Sequence, residues 1–207
     1  MKLPIRGLYA ITPDETDTAR LVAKVRQALA GGAGVLQYRN KKASGDLART
    51  QVEALLPPCR AARVPLIVND DLALALATGA DGVHLGRDDG ELARARAALG
   101  PDRLLGASCY DQLALARKAV ASGADHVAFG SVFGSTTKPG AVRASHALFG
   151  EARGLNVPRV AIGGITPENA AQVITAGADA VAVISALFDA RDIEAQARQF
   201  AALFGKE

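Results

Sequence analysis

The chain has 207 residues, of which 49% are hydrophobic, 22% charged and 4% aromatic, with 21 Gly and no Trp. This excludes wholesale disorder and leaves ample material for a large buried core in a single α/β unit. Too few aromatics are present to suit a platform on which bases stack. Twenty-four Lys and Arg against 21 Asp and Glu give a net charge of +3 with no run of like charge. That describes a mixed soluble surface rather than a nucleic-acid face, with a slight bias toward phosphorylated small molecules.

The chain has two Cys, Cys59 and Cys109. They make no CxxC pair and no disulfide framework, so reduced thiols in a cytoplasm are expected. Met1-Lys2-Leu3-Pro4 has no apolar leader pattern, and no stretch approaches 18 uninterrupted apolar residues.

In chain order, strands are expected over 8–12, 34–39, 65–70, 82–86, 104–109, 126–132, 159–164 and 180–185. Helical patterns lie between and after them, near 17–31, 44–62, 72–78, 90–99, 111–122, 144–153, 167–176 and 192–204. A repeat marks the alternation. Gly79-Ala80-Asp81-Gly82-Val83 returns as Gly123-Ala124-Asp125-His126-Val127 and as Gly177-Ala178-Asp179-Ala180-Val181, with a weaker copy at Gly32-Ala33-Gly34-Val35. Each copy follows an Ala/Leu-rich amphipathic stretch and opens a short apolar run. Its Gly suits a left-handed turn at a helix C-terminus. The strands are continuous apolar runs, as expected when both faces are covered. Eight strand–helix alternations predict a single (β/α)₈ TIM barrel spanning residues 1–207. A doubly wound sheet would carry a Gly-rich turn after the first strand, and Leu8-Tyr9-Ala10-Ile11-Thr12-Pro13 is no such turn.

Barrel active sites form at the carboxyl ends of the strands, so polar strand ends are the candidates. Strand 2 ends Gln37-Tyr38-Arg39-Asn40-Lys41, with Gln37 and Arg39 on one face. Its two cations are either solvated charge or a phosphate clamp. Strand 3 ends Asn69-Asp70-Asp71 and strand 4 ends Arg87-Asp88-Asp89. Helix capping accounts for one Asp in each pair but not for both. The remaining Asp of each pair, whichever does not cap, suits a shared Mg²⁺. Strand 5 ends Ser108-Cys109-Tyr110, where Ser108 can hydrogen-bond a ligand and Cys109 is expected to be an inert thiol. After strand 6 comes Ser135-Thr136-Thr137-Lys138, a hydroxyl-rich anion-binding segment without the Walker spacing. Gly163-Gly164 and Ile184-Ser185 end strands 7 and 8, where barrels often bind phosphate. His84, His126 and His146 form no zinc or triad spacing. His84 and His126 are expected to be packed or hydrogen-bonded in the core.

Taken together, these pieces resemble the thiamine-phosphate synthase (thiamine-phosphate pyrophosphorylase) family along nearly the whole chain. They are Leu8-Tyr9-Ala10-Ile11-Thr12, the segment 37–41, Asn69-Asp70, Gly82-Val83-His84-Leu85-Gly86-Arg87-Asp88-Asp89, Gly106-Ala107-Ser108, the segment 135–138, Ala161-Ile162-Gly163-Gly164-Ile165 and Ile184-Ser185. The resemblance implies a reaction that joins a hydroxymethylpyrimidine diphosphate to a thiazole phosphate and releases pyrophosphate. It implies that Gln37, Tyr38, Arg39, Asn40, Lys41, Asn69, Ser108 and Lys138 bind the pyrimidine diphosphate, with Arg39, Lys41, Ser108 and Lys138 as the catalytic set. Asp70 and Asp89 would hold Mg²⁺. Ser135, Thr136, Thr137, Gly164, Ile184 and Ser185 would hold the thiazole phosphate. The partners are small molecules, not nucleic acid or membrane, and the sequence leaves a homo-oligomer open. Positive charge would draw off pyrophosphate, and the resulting carbocation would meet the thiazole nitrogen without a general base. The chain departs from the family's usual pattern at Arg87, Tyr110, Gly134-Ser135 and Asn40. Two other functions compete: a thiazole tautomerase on the same scaffold, and a silent phosphate-binding barrel.

Overall fold

The computed structural model describes residues 2–86, 91–134 and 143–205. Within them, eight parallel strands close into a barrel in the order β1 to β8. The elements run β1 (Gly7–Ile11), α1 (Thr18–Ala30), β2 (Ala33–Tyr38), α2 (Gly45–Ala62), β3 (Leu66–Asn69), α3 (Leu72–Thr78), β4 (Gly82–Leu85) and α4 (Leu92–Leu99). They continue β5 (Leu104–Tyr110), α5 (Leu113–Ala121), β6 (His126–Gly130), α6 (Ala147–Glu151), β7 (Arg159–Ile162), α7 (Pro167–Ala176), β8 (Ala180–Val183), α8 (Ser185–Phe188) and α9 (Ile193–Ala202). The predicted barrel is therefore the observed one.

Element ends shift by up to two residues, as where β6 stops at Gly130 and β7 at Ile162, and two elements differ in kind from the sequence reading. The helix expected over 144–153 is a short α6 followed by a 3₁₀ turn, Ala152–Leu155. The strand expected to reach residue 185 ends at Val183, and Ser185 opens α8 instead. Ile184, just before it, has φ −113° and ψ −87°, which is not strand geometry.

Each strand buries two faces. One face carries Leu8, Ala10, Leu36, Tyr38, Leu66, Val68, Val83, Leu85, Leu105, Ala107, Val127, Phe129, Val181 and Val183, packed against the helices. The other lies inside the barrel, where Tyr9, Ile11, Val35, Ile67, Leu104, Ala128, Val160, Ala180 and Ala182 form a separate cluster. Double burial is why the runs show no polar alternation. Local caps start the helices. The side chains of Asp17, Ser44, Asp71 and Asp192 accept backbone N–H bonds at the starts of α1, α2, α3 and α9. Thr166 and Asn169 form a capping box on α7.

The repeat has a mechanical reason. Its glycines do adopt left-handed φ, at +97° for Gly32, +70° for Gly79, +92° for Gly123 and +112° for Gly177. The Asp that follows then reaches across to the neighbouring strand. Asp81 accepts from the Leu66 N–H, Asp125 from Leu105 and Asp179 from Arg159, each at 2.8 Å. The same three Asp donate their own N–H groups to the carbonyls of Leu66, Leu105 and Arg159. Each Asp thus staples an even-numbered strand to the odd-numbered strand before it at the amino end of the barrel. Arg96 and Lys2 pair with Asp125, and Arg159 pairs with both oxygens of Asp179. In the weaker copy, a Cβ at Gly34 would fall on the Arg6 carbonyl, so no Asp fits there.

Candidate active site

At the carboxyl end of the barrel the inner face turns polar. Strand alternation carries Gln37 on β2, Asn69 on β3, His84 on β4 and Ser108 on β5 into the mouth, on four consecutive strands. Asn69 and His84 are register partners. Gln37 is buried and donates from Nε2 to the Tyr9 hydroxyl at 2.9 Å. Burial of that hydroxyl raises its pKa above the usual tyrosine range, opposed by the Gln37 bond, so Tyr9 stays neutral. His84 is held at both ring nitrogens, with Nε2 3.0 Å from Ser108 Oγ and Nδ1 3.3 Å from His126 Nε2. Ser108 itself is half-buried at the rim.

Arg39 follows β2 and is fixed at several points. Its N–H donates to Thr12 Oγ1 at 2.8 Å, and its carbonyl accepts from the same hydroxyl at 2.9 Å. Its Nη1 donates to Asp14 Oδ1 at 3.2 Å, and the Lys41 backbone N–H donates to the same oxygen at 2.9 Å. Asp14 thereby ties one cation's head group to the other's backbone. The Lys41 side chain stands exposed. The Arg39 backbone is locked and its guanidinium oriented, a geometry that suits recognition of an anion.

Tyr38 and Asn40 have a different place from their neighbours. Tyr38 faces the helix layer, and its hydroxyl donates to Gln51 Oε1 on α2 at 2.8 Å. Asn40 donates to the Glu15 carbonyl at 2.6 Å and to Gln51 Oε1 at 3.1 Å, and Gln51 Nε2 donates to the same Glu15 carbonyl at 2.8 Å. Both side chains hold the β2–α2 loop in shape.

The paired acids divide as capping demands. Asp71 caps α3, accepting the Leu74 N–H at 2.8 Å. Asp70 has φ +64°, and its N–H donates to the His84 carbonyl at 2.9 Å. That turn separates the Asp70 carboxyl from the cap at the rim where β3 and β4 end. A single rim carboxylate beside an amide suits a hard ion that takes one or two carboxylates and completes its shell with water and phosphate. Its expected partner Asp89 lies outside the described residues, as do Arg87, Ser135, Thr136, Thr137 and Lys138.

Gly163 and Gly164 both have left-handed φ, and a Cβ on them would fall on Ser131 and on the Gly134 carbonyl. The β7 loop therefore lies directly against the start of the β6 loop. Asn169 donates to the Gly164 carbonyl at 2.9 Å, which steadies that turn. Ile184 packs at the edge of the interior cluster, and Ser185 is exposed at the start of α8. Cys109 is buried, and burial pushes its thiol up to about 12. Cys59 is raised to about 12 in the same way, with Asp81 adding to the effect. Neither forms a reactive thiolate near neutral pH.

Residues 8–187 match the family model described as Thiamine monophosphate synthase. The chain belongs to the thiamine-phosphate synthase family. The thiamine-phosphate synthase of Methylobacillus flagellatus is 66% identical over 201 residues, covering 97% of this chain and 96% of the relative. That of Chromobacterium violaceum is 56% identical over 203 residues, covering 97% of each. Among solved structures, a thiamine phosphate pyrophosphorylase from Pyrococcus furiosus superposes with a TM-score of 0.85 at 33% identity, covering 96% of this chain and 95% of that one.

Four residues of the site carry no role in the sequence reading of this family member: Tyr9, Thr12, Asp14 and His84. Tyr9 and Thr12 sit in the first motif, and strand alternation could have aimed Tyr9 inward. Asp14 follows a strand end, which is a positional signal. His84 precedes an apolar residue, so its pattern alone reads as core.

Proposed function

We propose that the chain is a thiamine-phosphate synthase, joining a hydroxymethylpyrimidine diphosphate to a thiazole phosphate with release of pyrophosphate. The observation that carries this is the row Gln37, Asn69, His84 and Ser108 inside the barrel mouth, flanked by the pre-oriented guanidinium of Arg39. Membership of the family supports the substrates. Amides and hydroxyl suit the pyrimidine's polar edge and diphosphate oxygens, and Arg39 with Lys41 and Lys138 suits the leaving charge.

In this reading the bond between the pyrimidine's exocyclic methylene carbon and the diphosphate oxygen breaks, and its electron pair leaves with the oxygen. Arg39, Lys41 and Lys138 neutralise that departing charge, and Ser108 hydrogen-bonds the same substrate. The thiazole ring nitrogen then forms the new carbon–nitrogen bond. Gly164, Ile184, Ser185 and the hydroxyls of Ser135, Thr136 and Thr137 hold its phosphate so that the two centres meet. The Tyr38–Gln51–Asn40 network acts through the loop that carries Arg39. Asp70 and Asp89 would hold Mg²⁺, which when bound adds positive charge at the diphosphate oxygens. In this reading the chain forms one catalytic domain over 1–207 and works in the cytoplasm. No described helix is long and apolar enough to cross a membrane.

Incubation of the purified protein with both substrates is expected to yield thiamine phosphate, and EDTA to abolish the yield. Asp70→Ala and Lys138→Ala are each expected to lower turnover at least about tenfold. Thiazole isomerisation without coupling would assign a tautomerase instead, and binding without turnover a silent barrel.

A further inference from the structure

Two buried imidazoles stand in line behind Ser108. His126 is fully buried at the start of β6, and His84 is nearly so on β4. Between them on β5 lies Gly106, in register with both. A Cβ there would fall on His126 Nε2 and His84 Nδ1, so the rings meet only because that position is bare. The Tyr9 ring packs against His126 with centroids 6.0 Å apart, closing the column on the far side.

The geometry points to His84 and His126 as positioning residues that fix the Ser108 hydroxyl as a hydrogen-bond donor toward an acceptor atom of the pyrimidine diphosphate. This rests on the function proposed above. Hydrogen bonds in such a column all run one way or all run the other. In one direction His126 Nε2–H donates to His84 Nδ1, and His84 Nε2–H donates to Ser108 Oγ. In the reverse direction Ser108 donates inward, and both rings carry their proton on Nδ1.

Two independent considerations choose the first. His126 Nδ1 is buried and has no hydrogen-bond partner among the described residues. The inward direction would leave an N–H there, and a buried N–H without a partner is rarer than an under-satisfied acceptor. In the outward direction both rings also hold the Nε2–H tautomer, the one that neutral histidine intrinsically favours. Burial first, and His84 second, hold the His126 pKa well below the usual histidine value, so the ring stays neutral and the column keeps a direction. One lone pair of the Ser108 oxygen then accepts from His84, and its hydrogen is left for a diphosphate oxygen or a pyrimidine ring nitrogen.

Long-range ¹H–¹⁵N correlation spectra of the ¹⁵N-histidine-labelled protein, free of ligand, test this without a mutation. His84 and His126 are expected to show protonated Nε2 and bare Nδ1. An Nδ1–H tautomer at either ring would overturn the assignment. Kinetics give a second arm, because Gln places an amide N–H where histidine has Nε2 and Leu does not. His126→Leu is expected to lower kcat/KM about tenfold, and His126→Gln to return it to within about threefold of the parent. Equal losses in the two variants, or none in either, would sink a directional role. Failure of the parent protein to form thiamine phosphate would instead remove the function, and the spectra would still report the column.

Discussion

Replacing Gly106 by Ala puts one methyl group where three strands leave room for none. Its Cβ would fall on the facing nitrogens of His126 and His84, and His126 is fully buried with nowhere to retreat. Overpacking of a core position costs about 1–3 kcal/mol. Forcing the rings apart also breaks the 3.3 Å bond between them, worth about 1 kcal/mol. A loss of about 3 kcal/mol, spread over an unfolding entropy of about 2.1 cal/mol/K per residue in a chain of 207, lowers Tm by about 7 °C. Ser108 loses its aligned partner at the same time, so kcat/KM is expected to fall about tenfold at temperatures where the variant is folded. Thermal melts followed by circular dichroism, paired with the coupling assay, read both effects. Gly45→Ala is the control, since nothing lies within 4 Å of the methyl it would add and the position is the first residue of α2; its Tm should move by about 1 °C or less. A Gly106→Ala protein with unaltered Tm and kinetics would show that the imidazole column is not packed as described.

Asp14→Ala is expected to raise KM for the pyrimidine diphosphate about three- to tenfold while leaving Tm within about 2 °C, because its carboxylate aims Arg39 from a partly exposed position where ion pairs add little stability. An unchanged KM would remove Asp14 from that role. Stability should also fall with pH through His126: its folded pKa lies well below its unfolded value of about 6.5, so the unfolded chain binds the extra proton, and the contribution present above about pH 6.5 is lost as pH falls, by about 1.4 kcal/mol per pH unit. Urea unfolding of the parent and of His126→Gln between pH 7 and 5 measures this, and parallel slopes in the two proteins would refute it.

The barrel is legible in the sequence because its signals are local. Gly turns, apolar runs and caps each occupy a few consecutive residues, and all eight strands fall within two residues of their expected ends. What local pattern cannot show is which neighbour a side chain meets. Asp81, Asp125 and Asp179 are visible as a repeat, but their use as strand staples depends on the strand alongside, far away in sequence. Capping chemistry foresees that one of Asp70 and Asp71 serves α3, and only the backbone turn at Asp70 decides between them. The motif 37–41 reads as one polar block, yet alternation splits it. Gln37 goes inward to Tyr9, Tyr38 outward to Gln51, and Asn40 back to Glu15. His84 reads as a hydrogen-bonded core residue, and it is one. Its second partner, Ser108, lies on the next strand and makes that core bond part of the site.

The two ends of the barrel divide the work of a polar interior. A row of inward amides, imidazoles and hydroxyls is a costly filling for a closed barrel, because each buried polar group must find a partner or lose its hydration. At the amino end the same strands are locked by carboxylates that bind backbone N–H groups directly, two of them braced by arginine. Below the polar row the interior is filled by Ile5, Val35, Ile67, Leu104 and Val160, with no hydrogen-bonding side chain among them. The staples and that apolar plug thus hold the strands together at the end of the barrel away from the mouth. The upper row is free to be chosen for chemistry, and its residues pair as Gln37 with Tyr9 and His84 with His126 and Ser108, leaving only His126 Nδ1 among the described buried polar side-chain atoms without a partner. It follows that changes in the upper row should move kinetics more than stability unless they add volume, as at Gly106. Changes to the Asp staples should do the reverse.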